Sequence, residues 1–258
     1  MANSGGGGVS GLAYNGGTIF ATFGGSPAQL VKIDPSIGAV IETIGTVTVD
    51  GKPCSIGDLA MASSGPLFAI TANAVGHVCD GDDENDINAG TILTINPSTG
   101  AATVLGRPME DLHSVDNVNV GLAVDGSGNL WLISGWNHPD PGKIFTLNTS
   151  TGLVDSVLTL TGDTLNQANG LAWNPQDGML YASWDQQSSS QSFWRINPTT
   201  GETTLINAET GHNLHDLVFV SAPTVPVPTV PVPTVPFGGL VLLVALLGWF
   251  GLRKFRVV

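Results

Sequence analysis

The chain has 258 residues, with 8 Lys and Arg against 21 Asp and Glu, 34 Gly, 16 Pro and two Cys. All 21 acidic residues precede Leu217, accompanied by only five basic ones (Lys32, Lys52, Arg107, Lys143, Arg195), so that part carries a net charge of −16. This disfavours nucleic acid and anionic lipid as partners, because phosphate binding needs a basic surface, and two cysteines without CxxC spacing are too few for a disulfide scaffold or a cysteine zinc site.

Residues 1–10 form a Gly-rich segment with neither the basic nor the apolar region of a secretory leader. A phrase then recurs: Ile33–Gly38 reads IDPSIG, Ile95–Gly100 INPSTG, Leu147–Gly152 LNTSTG and Ile196–Gly201 INPTTG, at steps of 62, 52 and 49 residues. These steps suit a four-stranded propeller blade with loop insertions and are too long for leucine-rich or ankyrin repeats. Gly11-Leu12-Ala13, Asp58-Leu59-Ala60, Gly121-Leu122-Ala123 and Gly170-Leu171-Ala172 each precede a copy, and Asp216-Leu217-Val218 begins a fifth. Between these phrases, Phe20, Phe68, Trp131 and Tyr181 hold one equivalent place, which predicts core aromatics between adjacent blades. The expected fold is all-β: a β-propeller with four recognisable blades (about 11–45, 57–106, 120–162 and 169–207) plus an extra strand at 215–220. The register also predicts further strands upstream, as in a larger propeller truncated at its N-terminus.

First-to-second strand turns are short and alike, which marks one face as scaffold. The variable loops fall on the other face, with His77, His113, His138, His212 and His215 and both cysteines, and binding is expected there. Asp80, Asp82, Glu84 and Asp86 supply the hard oxygens that Ca²⁺ prefers, or form a solvated acidic hairpin; the EF-hand Gly and Glu are missing. Cys54 and Cys79 lie in adjacent loops of this face and are expected to pair in an exported protein. Trp136 and Trp184 occupy corresponding loops and suit either stacking on sugar rings or rim packing. Asp58, Asn119, Asn169 and Asp216 begin or precede innermost strands, a placement that predicts a ring around the central channel. No nucleophile elbow, HExxH, P-loop or dinucleotide fingerprint is present.

After Val220 the composition changes. Residues 221–236 form a linker rich in Pro, Thr and Val, suited to an extended polyproline spacer. Phe237–Leu252 is uninterruptedly apolar and is followed by Arg253, Lys254 and Arg256, a stop-transfer pattern that predicts a transmembrane helix within 237–258 and an external propeller.

Val235-Pro236 before the apolar run and Arg253-Lys254 after it resemble the C-terminal sorting signals of Gram-negative surface proteins, the PEP-CTERM and IPTL-CTERM families, although Pro-Thr-Val-Pro replaces Pro-Glu-Pro. The resemblance implies membrane passage, a sorting protease of exosortase type as partner, and delivery to the cell surface or matrix; a permanent membrane anchor is the alternative. The repeats resemble secreted bacterial propellers that include quinoproteins, lactonases and binding modules. The leading expectation is a non-enzymatic module for a surface or matrix ligand, with Ca²⁺ as a candidate ion. The alternatives are a metal-dependent, lactonase-like hydrolase at the channel and a purely structural matrix protein.

Overall fold

The repeated phrase is a turn because of its second residue. In the computed structural model, the side chains of Asp34, Asn96, Asn148 and Asn197 accept the backbone N–H two residues on, at 2.8 to 2.9 Å, an Asx turn four times over. The phrase ends on Gly38, Gly100, Gly152 and Gly201, whose φ of 65°, 76°, 66° and 74° lies in the left-handed region. Each glycine N–H closes the turn on the carbonyl of the same Asp or Asn at 2.7 to 2.9 Å.

The structure describes residues 8–23, 27–62, 65–72, 78–79, 87–108, 120–133, 142–165, 168–185, 191–207 and 216–220. The chain divides into two units, Met1–Ser221 and Ala222–Val258, and the second lies outside the described residues, as do the predicted linker and membrane helix. Among the described residues there is no α-helix, and hence none long and apolar enough to cross a membrane.

The four turns join four antiparallel sheets arranged as a four-bladed β-propeller. The first runs β1 (Val9–Asn15), β2 (Thr18–Phe23), β3 (Gln29–Asp34) and β4 (Ala39–Thr46) from centre to rim. The chain then crosses through β5 (Thr48–Val49) and β6 (Lys52–Pro53) to the second sheet, whose strands are β7 (Ile56–Met61), β8 (Leu67–Thr71), β9 (Ile92–Ile95) and β10 (Ala101–Gly106). The third contains β11 (Gly121–Val124), β12 (Leu130–Ile133), β13 (Lys143–Leu147) and β14 (Val154–Thr159). After β15 (Thr161–Gly162), the fourth contains β16 (Gly170–Asn174), β17 (Met179–Asp185), β18 (Gln191–Ile196) and β19 (Glu202–Asn207).

Two boundaries differ from the sequence expectation. Thr161–Gly162, placed in the third repeat, pairs in parallel with β19 of the fourth sheet, as Thr48–Val49 pairs with β10 of the second. The chain reaches the next blade's outer strand before turning inward, so neighbouring blades are laced together: Thr48 N–H donates to Gly100 O at 3.2 Å and Thr161 N–H to Gly201 O at 2.9 Å. The second difference is at 216–220, where the extra strand was expected. These residues are in no ladder, although they hold the place of an innermost strand between β16 and β1.

Among the described residues the core forms three apolar clusters, one between each consecutive pair of blades. Phe20 packs with Ile56 and Leu59 of the second blade, Phe68 with Leu122 and Leu130 of the third, and Trp131 with Leu171 and Leu180 of the fourth. Each aromatic lies opposite an innermost-strand alanine: Phe20 with Ala13, Phe68 with Ala60, Trp131 with Ala123 and Tyr181 with Ala172. A small residue opposite a large one leaves room for the ring to enter the next interface, where burial contributes about 2–3 kcal/mol per side chain. Tyr181 departs from the pattern. It is half-buried, its ring lies 4.9 Å from that of Phe219, and its hydroxyl donates to Asp177 at 2.7 Å. No fifth sheet among the described residues encloses it, so a tyrosine with a wet hydroxyl fits where phenylalanine and tryptophan serve elsewhere.

Candidate functional site, the acid pair and the central channel

One position in each innermost strand faces its neighbours at closest approach: Gly11, Asp58, Gly121 and Gly170, with Asp216 in the fifth place. A Cβ on Gly11 would stand 2.8 Å from Leu59 N, one on Gly121 2.6 Å from Leu171 N, and one on Gly170 2.6 Å from Asp216 Cα. Three glycines therefore let the strand starts crowd together, and the two carboxylates occupy the space they leave.

Both carboxylates make the same bridge. Asp58 Oδ1 accepts from Leu59 N–H and Oδ2 from Leu122 N–H of the next blade, both at 2.6 Å. Asp216 Oδ1 accepts from Leu217 N–H at 2.6 Å, and its Oδ2 accepts from Leu12 N–H of the first blade. The two side chains also hydrogen-bond to each other. Asp58 is fully buried, and burial, the Asp216 charge and the bond to Asp216 raise its carboxyl well above the ordinary 3.8. Burial likewise pushes Asp216 up to about 7, against the lowering effect of the Asp58 bond and of the N–H groups of Leu217 and Leu12. Two like charges this close, in a site this dry, cannot both ionise cheaply, so the pair retains protons above the ordinary carboxylate range.

Of the four residues predicted to ring the channel, the structure thus brings together Asp58 and Asp216. Asn169 is buried and anchored through its backbone N–H to Ser183 O at 2.8 Å, and Asn119 lies outside the described residues. Every carboxylate oxygen of the pair already accepts a main-chain N–H, and a divalent cation there would have to displace the protons that the pair retains.

Beyond the acid pair lies a cavity of about 490 Å³. Its inner end is a ring of five leucines, Leu12, Leu59, Leu122, Leu171 and Leu217, and its outer end reaches the short turns at Asn15, Gly16, Asp125, Gly126 and Pro175. Between them stand Tyr14, Met61, Val124, Trp173 and Phe219, each three residues after its ring position. The carboxylates of the pair do not line this space. Asp125 buttresses the mouth: it accepts from Trp131 Nε1 at 2.9 Å and from the N–H groups of Ser127 and Asn129, which together outweigh burial and lower its pKa.

The cavity therefore opens on the face of short turns, opposite the loop-rich face expected to bind. Sequence reasoning passed over its five variable residues. Their signal was present in the constant offset of three from each strand start, occupied in turn by Tyr, Met, Val, Trp and Phe.

The remaining candidates divide. Cys54 and Cys79 are joined by a disulfide. Trp184 packs against the cluster between the third and fourth blades, whereas Trp136 lies outside the described residues. So do Asp80, Asp82, Glu84, Asp86, the five histidines, and Val235, Pro236, Arg253, Lys254 and Arg256. Among the described residues no group of three metal-ligating side chains occurs.

Comparison with solved structures returns proteins of varied function. Glutaminyl cyclase from Myxococcus xanthus is 16% identical, with 78% of this chain and 70% of that one covered at a TM-score of 0.49. TolB from Acinetobacter baumannii is 13% identical, with 78% and 44% covered and a TM-score of 0.46. Hydrazine synthase from Kuenenia stuttgartiensis is 12% identical, with 78% and 49% covered and a TM-score of 0.45, so this chain spans about half the length of that one. No curated protein matches the sequence. A family model for a repeat of unknown function matches residues 61–216, from the end of β7 through the fourth blade to Asp216. That is more than half of the chain, and the protein therefore belongs to this repeat family, DUF6923.

Proposed function

We propose that the chain is an exported, non-enzymatic binding module of the cell surface or extracellular matrix, and that its ligand enters the central channel from the short-turn face. One observation carries this reading. The five leucines separate the acid pair from a roomy, largely apolar cavity, so the polar groups at the centre serve the ring while the walls above them vary residue by residue. Constant floor and variable wall suit recognition of an apolar or ring-faced ligand, with Tyr14, Trp173 and Phe219 offering faces for stacking. The loop-rich face, most of whose loops lie outside the described residues, contributes no geometry to this reading.

Export is supported by the Cys54–Cys79 disulfide, which persists in oxidising compartments, and by the resemblance of the C-terminal tail to sorting signals. On this reading an exosortase-type protease processes the tail, and the membrane is a transient partner.

A neutral apolar dye, Nile red, tests the cavity. The full-length chain should bind it saturably at one site, and Val124→Trp, which narrows the space, should lower its affinity at least about tenfold, an effect of roughly 1.4 kcal/mol. Equal binding by the variant would reject the channel as the site. A hydrolase acting there would instead show turnover of a lactone substrate that falls with the same substitution.

A further inference from the structure

The aromatic residues of the channel wall stand side by side. Trp173 belongs to β16 and Tyr14 to β1, and Phe219 belongs to the 216–220 segment that holds the place between those strands. They share one level of the channel and form an arc, which Met61 and Val124 complete on the other side. On β1 and β16 the aromatic lies two residues beyond the leucine of the floor, so both side chains leave the same strand face. Trp173 is held by its edges. A Cβ on Gly126 would stand 3.5 Å from its Nε1, and one on Gly178 would stand 3.6 Å from its Cη2. Nε1 is itself buried, so the indole N–H is turned away from the cavity and the carbon surface of the ring lines it.

Charge is a second, independent observation. Among the described residues that line the cavity there is no Lys, Arg or His, whereas Asp125 stands at the mouth. Burial opposes ionisation of its carboxyl, but the bonds from Trp131, Asn129 and Ser127 outweigh burial and hold it below the ordinary range. Those donors, Trp131 Nε1, Asn129 Nδ2 and the N–H groups of Ser127 and Asn129, are all neutral and leave the negative charge uncancelled. The residues before Leu217 add a net charge of −16 around it. An aromatic face is negative at its centre, so walls and mouth both favour a cation.

The kind of cation follows from the hydrogen bonds. The oxygens of Asp125 are already occupied, and the carboxylates of the acid pair do not line this space. An ammonium bearing N–H groups would leave water without gaining these acceptors, whereas a quaternary ammonium has no N–H to satisfy. We propose that the central channel binds a small, free quaternary ammonium ion, its methyl groups against Trp173, Phe219 and Tyr14 and its charge facing Asp125. This rests on the reading of the channel as the ligand site and gives that ligand a chemical class. The negative mouth disfavours the same ammonium linked to a phosphate, as in a lipid headgroup.

Titration calorimetry of the full-length chain with choline and with its neutral isostere, 3,3-dimethyl-1-butanol, tests this. The two differ by a charged nitrogen in place of carbon, so their ratio isolates the charge. Choline should bind once per chain and at least about tenfold more tightly than the alcohol, and phosphocholine should bind more weakly than choline. Trp173→Leu should lower the affinity for choline about tenfold and leave that for the alcohol nearly unchanged. If that variant fails to fold, the comparison in the unaltered chain decides alone. Equal affinities for choline and the alcohol would overturn the proposal, as would tighter binding of phosphocholine, choline binding indifferent to Trp173→Leu, or no binding of choline. Nile red separates the two failures: dye that still binds in the channel keeps the ligand site and rejects only the cation, and its loss rejects both.

Discussion

Asp58 and Asp216 hydrogen-bond to each other from the two ring places that flank Gly11, and each also ties its own strand to the next around the ring. Asp58 joins the second blade to the third, and Asp216 joins the 216–220 segment to the first. Removing Asp58 should therefore act on two interfaces at once. Asp58→Ala leaves Leu59 and Leu122 N–H without acceptors, at a cost of about 2–4 kcal/mol. Equilibrium urea unfolding should show this as a lower midpoint, whereas Asp163→Ala, which removes an exposed acceptor of Leu205 N–H, should change it little.

The same pair predicts an unusual dependence on pH. Both carboxyls are raised in the folded state, so the native protein binds more protons than the unfolded chain between about pH 4 and the folded-state values, about 7 for Asp216. The contribution to stability is full below the unfolded value of 3.8 and is lost as pH rises through 7. The unfolding midpoint should be higher at pH 5.5 than at pH 8. Asp58→Asn should flatten this difference while lowering stability at pH 5.5, because its amide nitrogen faces an N–H that the carboxylate accepted.

The disulfide between Cys54 and Cys79 joins residues 25 apart across β7 and β8, and the two backbones also pair in an isolated antiparallel bridge. Replacing both cysteines by alanine should cost about 3 kcal/mol, chiefly by freeing the unfolded chain. Calorimetry with and without reductant checks this; an unchanged thermal midpoint would show that the bridge constrains nothing.

Glycine at the ring is a packing requirement. Gly121→Ala places a methyl group 2.6 Å from Leu171 N and 2.7 Å from Gly170 C, both backbone atoms, so blades three and four must move apart. A loss of about 1–3 kcal/mol is expected. Gly8→Ala, where nothing lies within 4 Å, should be neutral, and the contrast between the two is the measurement.

Delivery by the tail is testable in a Gram-negative host that carries an exosortase-type enzyme. Joint replacement of Arg253, Lys254 and Arg256 by alanine should leave the protein unprocessed and shielded from protease added to intact cells. Unaltered processing would remove the sorting reading.

Much of this architecture was legible beforehand because it repeats. The phrase from Ile33 to Gly38 and its three echoes marked the third-to-fourth strand turns. The equivalence of Phe20, Phe68 and Trp131 marked the blade interfaces, and the strand starts brought Asp58 and Asp216 forward together. What escaped was either too short or too collective for a pattern. Thr48–Val49 and Thr161–Gly162 are two-residue strands whose pairing depends on a neighbouring blade, so no local periodicity marks them. The cavity arises only when five strand starts converge, and Trp173 and Phe219 belong to no repeated phrase that would single them out. The histidines and acids of the loops are conspicuous as residue chemistry, but they lie outside the described residues.

The central claim, that the channel acids form a proton-sharing lock of the ring, is tested most directly by ¹³C NMR titration of the aspartate side-chain carboxyls, assigned through Asp58→Asn and Asp216→Asn. The account predicts that both carboxyls stay protonated well above the ordinary range, with Asp216 titrating near 7 and Asp58 also raised. Two carboxyls that titrate independently near pH 4 would contradict it.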